Sequence, residues 1–192
     1  LPLVLFSGLP ALVLAAGGWP PPALIVATLM GTAFSAAAAN SINSYLERDR
    51  DALMERTQER PLPAGELGPR PALIFGLSLA VLGVGLLWFS VGRVPALISV
   101  AALGIYIFVY TLWLKPRTSF AVIVGGISGA IAPLIADAAA DGHVGAAGWL
   151  LFAIIFIWQP PHFYAIALFR REDYARAGFP MLPDRIGEDA TY

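Results

Sequence analysis

The chain has 192 residues, 58% of them hydrophobic and 13% charged, against about 25% charged in an ordinary soluble domain. With a mean hydropathy of +0.72 and recurrent uncharged runs long enough for a bilayer core of about 30 Å, neither a soluble domain nor a lone signal peptide fits. The absence of cysteine excludes disulfides and thiolate chemistry, two histidines are too few for a histidine-built metal site, and a net charge of −1 gives no reason to expect a nucleic-acid partner.

In chain order, hydropathy predicts six membrane helices, at about 1–16, 22–46, 71–91, 94–113, 118–137 and 146–169. They make an all-α polytopic bundle in one integral-membrane domain over 1–192, with loops at about 47–70, 114–118 and 170–192. Pro71 and Pro95 suit first-turn positions, and Gly17-Gly18 and Gly65 mark breaks. The small-residue runs "GTAFSAAAAN" and "GGISGAIA" suit close helix packing in lipid. The links after the second, fourth and sixth helices hold Arg48, Arg50, Arg56, Arg60, Arg70, Lys115, Arg117, Arg170, Arg171, Arg176 and Arg185; the other links hold only Arg93. The positive-inside rule therefore puts the first set, and the N-terminus, in the cytoplasm. A start without methionine, inside an apolar run, and a stop soon after Glu188 and Asp189 lead us to expect a piece of a longer chain.

Two clusters carry chemistry. Asn43, Glu47 and Asp51 are spaced four and four; each step on a helix turns by about 40° and rises about 6 Å, so the three form one polar stripe. Asp49 lies on another face, and Arg48 and Arg50 alternate with the acids, so a salt-bridged helix end is one reading. The other is an oxygen-ligand site for Mg²⁺, because carboxylates at a membrane boundary are costly unless paired or holding a cation. Arg56 and Arg60 supply forked donors for phosphate oxygens, which points to a metal-bridged polyphosphate. No Gly-rich loop argues for a nucleotide. The second cluster is "WQPPHFYAIALFRREDYARAGFPMLP", 158–183. Pro160 and Pro161 predict a kink lined by Trp158, Gln159, His162 and Tyr164, although a lone histidine in a helix is more often structural. Arg170, Glu172, Asp173 and Tyr174 repeat the acid-plus-arginine theme, so the two clusters are expected to be walls of one polar site.

These residues resemble the UbiA superfamily of intramembrane prenyltransferases. That family's first motif is similar to Asn-x3-Asp-x3-Asp followed by Arg-Thr-x2-Arg-Pro; here it reads Asn43, Glu47, Asp51, then Arg56, Thr57, Arg60 and Pro61. "YTLWLKPRTSFAVIVGGISGAIAPLI" from Tyr110, with "WQPPHF" and "DYARAGFPMLP", is similar to the protohaem IX farnesyltransferases (haem O synthases) within it. The chain departs at Glu47, where the pattern has aspartate, and shows six of the family's nine or so helices.

The resemblance implies farnesyl transfer from farnesyl diphosphate to a vinyl group of haem B. Its product, haem O, links the protein to haem A synthase or to terminal-oxidase assembly. It further implies Mg²⁺ held by Asn43, Glu47, Asp51 and Asp173, a diphosphate neutralised by Arg56, Arg60, Lys115, Arg117 and Arg170, and Gln159 and Tyr174 beside the substrate. His162 is the candidate for contacting haem or managing a proton. The expected location is the bacterial cytoplasmic (inner) membrane, with the diphosphate site facing the cytoplasm. Rival readings are a sister enzyme prenylating an aromatic or quinone precursor, a transporter, and a non-catalytic haem-handling protein.

Overall fold

The computed structural model describes residues 2–178, with the side chains of residues 2–5, 171 and 172 excepted. Arg185, the side chains of Arg171 and Glu172, and most of the expected 170–192 loop therefore lie outside the described residues. All regular structure among them is helical: α1 (Pro2–Ala15), α2 (Pro22–Asp51), α3 (Pro69–Ser90), α4 (Arg93–Gly104), a π-helical segment (Ile105–Leu114) continuing α4, α5 (Ala121–Ala130), α6 (Ala132–Asp141), α7 (Ala146–Phe169) and α8 (Arg171–Arg176). Five helical spans are long and apolar enough to cross a membrane: α2, α3, α4 with its π segment, α5 with α6, and α7. The expected first helix forms as α1, 14 residues from Pro2 to Ala15.

Two spans depart from the sequence-based expectation. Helix α2 runs past 46 to Asp51, and the polar stripe that looked like a helix end is held both within the helix, Asn43 to Glu47, and by Thr111, Lys115 and Arg60 outside it. The expected span at 118–137 is two helices meeting at Ile131, where Pro133 has no amide hydrogen for the Gly129 carbonyl. Helix α7 has the expected bounds and continues through Pro160 and Pro161 to Phe169. The prolines remove two ladder bonds without ending the helix.

Lipid offers helices little hydrophobic reason to associate, so packing depends on close approach. The α2–α3 seam shows this: a Cβ on Gly83 would lie 2.7 Å from the Ser35 amide nitrogen, and one on Gly31 would lie 2.7 Å from Leu87 Cγ. The same seam lets Ser99 of α4 donate to Ser35 Oγ at 2.8 Å, both side chains buried. Helix α6 is buried from Ala132 to Ala139 and forms the centre of the bundle. Val81, Phe89 and Ile157 point outward and are largely exposed, as a lipid-facing surface requires.

Candidate active site

The last turns of α2 carry Asn43, Glu47 and Asp51 on one face, and both carboxylates are buried, Glu47 at 7% and Asp51 at 2% exposure. Asn43 Nδ2 donates to Glu47 Oε2 at 3.0 Å, and Lys115 Nζ donates to the same oxygen at 2.6 Å. The second oxygen, Glu47 Oε1, is buried without a partner among the described residues. A buried carboxylate oxygen left bare is costly, so it marks a place for a cation or a donor.

The π segment explains how Lys115 gets there. With hydrogen bonds running five residues back, positions four and five apart stack on one face. Tyr106, Tyr110, Thr111 and Lys115 therefore all turn toward α2. The Thr111 hydroxyl lies 2.8 Å from both Asn43 Oδ1 and the Tyr106 carbonyl and shares its one proton between them. The Tyr110 ring, 5.7 Å below the Lys115 ammonium, fits because Gly125 has no Cβ; one placed there would come within 2.8 Å of the ring.

After Asp51 the chain turns back over the helix end. The buried Thr57 hydroxyl donates to the Asp51 carbonyl at 2.7 Å. This peg brings Arg60 Nη1 to Asp51 Oδ2 at 2.9 Å. Arg56 lines the cavity beside it and makes no ion pair among the described residues. Met54 packs with Ala167, Ala177 and Tyr174, fixing the turn to α7 and α8. Together these groups border a cavity of about 440 Å³ whose walls include Asn43, Glu47, Asp51, Arg56, Arg60, Lys115 and Tyr174. Asn40 and Tyr106 also line a smaller, mostly apolar cavity of about 130 Å³ that reaches Ala132 and Ile135 of α6.

Other expected residues stand elsewhere. Asp173 is buried, but Oδ1 accepts the Glu55 amide at 3.2 Å and the Arg176 guanidinium at 2.6 Å, while Arg176 also reaches Glu55 Oε1 at 3.1 Å. Asp173 thus anchors the turn rather than lining the cavity, and no three carboxylate or imidazole groups converge as a metal site among the described residues. The hydrogen bond to Glu55, with charge from Glu55 and Asp173, raises Arg176 above the ordinary arginine value. Arg117 is exposed and donates to the Leu112 and Trp113 carbonyls at the end of the π segment. Arg170 is exposed, with its guanidinium over the Phe169 ring. Gln159 is buried and donates to the Gly126 carbonyl at 3.1 Å, tying α7 to α5. His162 is exposed and stacked on Trp158, ring centroids 4.3 Å apart, in a separate groove of about 440 Å³ that shares Phe163 with the polar cavity. Sequence reasoning missed Tyr106, Tyr110 and Thr111; the available signal was three hydroxyls in an otherwise apolar run ending at Lys115.

A sequence profile of the UbiA prenyltransferase family matches residues 4–192. The chain belongs to that family. This UbiA member is 48% identical to the protohaem IX farnesyltransferase of Symbiobacterium thermophilum, covering 98% of this chain and 63% of that protein. It is 43% identical to that of Leptospira biflexa (98% and 66%) and 46% identical to that of Acidiphilium cryptum (98% and 59%). The chain therefore spans less than two thirds of these relatives' length. Its fold matches two structures of a UbiA homologue from Archaeoglobus fulgidus, one bound to DMAPP and Mg²⁺ and one to GPP and Mg²⁺. For each the TM-score is 0.73 at 22% identity, over 98% of this chain and 68% of the other. Sequence and fold agree on a membrane-type helical member of the UbiA prenyltransferase family.

Proposed function

We propose that this UbiA member transfers a farnesyl group from farnesyl diphosphate to a vinyl group of haem B, giving haem O. One observation carries the diphosphate half of the reading. Two buried carboxylates, one with a bare oxygen, line one cavity with three cations, and a smaller, mostly apolar cavity shares Asn40 and Tyr106 with it. The names of the relatives, protohaem IX farnesyltransferases, support the acceptor.

The donor set fits Mg²⁺: oxygen ligands only, with the partnerless Glu47 Oε1 at its centre. Asn43, Glu47 and Asp51 would hold the ion, which supplies positive charge to the departing diphosphate. Asp173, expected among the ligands, instead positions the turn that bears Arg56 and Arg60. Those two arginines and Lys115 neutralise the diphosphate as the allylic carbon–oxygen bond breaks and its electron pair leaves with oxygen. Arg117 and Arg170 are outside this set. The haem vinyl carbon then bonds to the allylic carbon; water adds to the cation left on the porphyrin side and loses a proton, completing the hydroxyethylfarnesyl group. The smaller, mostly apolar cavity is assigned to the chain's first carbons. We place the polar mouth on the cytoplasmic side of a bacterial inner membrane, from the basic residues of the even links. Haem O would then pass to haem A synthase and terminal-oxidase assembly.

The test supplies farnesyl diphosphate, Mg²⁺ and haem B to membranes holding the protein and assays haem O by mass. Haem O is the expected product. Prenylated 4-hydroxybenzoate without haem O would overturn the acceptor assignment. His162, exposed beside the flat Trp158 ring and one residue from the shared Phe163, is assigned to the haem side. His162→Ala should raise KM for haem B several-fold with KM for farnesyl diphosphate unchanged, and equal changes in both would remove that role.

A further inference from the structure

Both carboxylates of the stripe already have a cation: Lys115 Nζ lies 2.6 Å from Glu47 Oε2, with side chains 17% and 7% exposed. Arg60 Nη1 lies 2.9 Å from Asp51 Oδ2, with side chains 41% and 3% exposed. We infer that Lys115 and Arg60 are exchangeable counter-ions, which hold Glu47 and Asp51 until a divalent cation and a diphosphate arrive together, so that each ligand binds well only with the other. This rests on the diphosphate-site reading above.

The charges make the argument. Two carboxylates and two paired cations are neutral as they stand. A divalent cation entering alone can reach the bare Glu47 Oε1, but to take the paired oxygens it must push the ammonium and guanidinium aside and then sit beside them, so two positive charges are added to a partly dehydrated site with no anion to offset them. A diphosphate entering alone finds the cavity's other two cations engaged by buried carboxylates, with Arg56 the one cation lining it that makes no ion pair among the described residues. Freeing Lys115 or Arg60 for phosphate would leave a buried carboxylate without its partner. When both enter, the partners exchange. The metal takes the carboxylate oxygens, including the bare Glu47 Oε1, while Lys115 and Arg60 move to phosphate oxygens. A metal ion, two carboxylates, three cationic side chains and a diphosphate of about three negative charges then sum close to zero. Lys115 is suited to the move: an ammonium on a flexible stem keeps its donors through a swing, where a guanidinium fork loses its geometry.

Thermodynamic linkage makes this measurable without turnover. The factor by which diphosphate strengthens metal binding must equal the factor by which metal strengthens diphosphate binding. Equilibrium dialysis of the purified protein in detergent, with Mn²⁺ and inorganic diphosphate separately and together, reads both factors. For the wild type the expected coupling is about tenfold or more, and equal from the two sides. Lys115→Met leaves Glu47 without its counter-ion, so Mn²⁺ alone should bind several-fold more tightly while the coupling factor falls. Arg60→Gln should do the same at Asp51 and serves if the Lys115 variant does not fold. Mn²⁺ bound as tightly alone as with diphosphate, and unaffected by either variant, overturns the exchange while leaving the diphosphate site intact. No binding of Mn²⁺ and diphosphate under any of these conditions overturns the site itself, and the exchange with it.

Discussion

Asp51→Asn should reduce prenyl transfer by about 10²–10³-fold or more, with the protein reaching its normal level in the membrane. The substitution keeps the shape and removes the charge. Its amide oxygen still accepts from Arg60 Nη1, now 2.9 Å from the carboxylate. The Thr57 peg bonds to the main-chain carbonyl and is untouched. The turn that carries Arg56 and Arg60 therefore stays in place, and a fall in rate reports lost charge at the diphosphate end. Asp49→Asn is the matched control. That carboxylate is 84% exposed, 3.6 Å from the Arg48 guanidinium on another face of the helix, and its loss should leave the rate unchanged. Initial rates of farnesyl transfer, normalised to immunoblotted protein, decide the matter. A fully active Asp51→Asn protein would remove the metal argument.

Much of this site was legible because helical spacing is a strong geometric statement. Once Asn43, Glu47 and Asp51 lie on a helix, their common face follows; Arg56 and Arg60 were legible as cations close along the chain, whereas Lys115 came from the family resemblance. The spans were legible for a different reason, since a bilayer demands long apolar runs whatever their packing. What was not legible depends on events that leave little mark on composition. A π segment differs from an α-helix by one residue in each hydrogen-bonded turn, and nothing in "IYIFVYTLWL" announces it. Yet that shift decides that Thr111 meets Asn43 and Tyr110 lies under Lys115. Asp173 was expected among the ligands from the family resemblance, and its hydrogen bonds to Glu55 and Arg176 could not be read from the sequence. Which arginine takes it, Arg176 rather than one at the cavity, is set by the six-residue α8 and the Met54 cluster. His162 shares a helix with cavity-lining Ile166 and Ala167, yet it lines the other groove.

The bundle itself makes the other large prediction. Gly83→Val should strongly reduce folded protein, with a melting temperature in detergent lower by roughly 5–10 °C in whatever accumulates. A Cβ at Gly83 would stand 2.6 Å from Ser35 Oγ, 2.7 Å from the Ser35 amide nitrogen and 2.9 Å from the Gly31 carbonyl oxygen. Two of those atoms are main chain, so no rotamer change relieves the overlap, and α2 and α3 must separate. Separation costs twice in lipid: the close van der Waals contact that holds these helices is lost, and Ser35 is drawn from its buried hydrogen bond with Ser99 of α4. Helix α4 continues directly into the π segment, so that movement reaches Thr111 and Lys115, and any surviving protein should also bind diphosphate poorly. Gly85→Ala, two residues away with nothing within 4 Å of an added Cβ, should melt like the wild type or slightly above it, because alanine suits a helix better than glycine. If Gly83→Val accumulates and melts as the wild type does, close packing of α2 on α3 is not what holds the stripe in register with the π segment, and the position of Lys115 needs another cause.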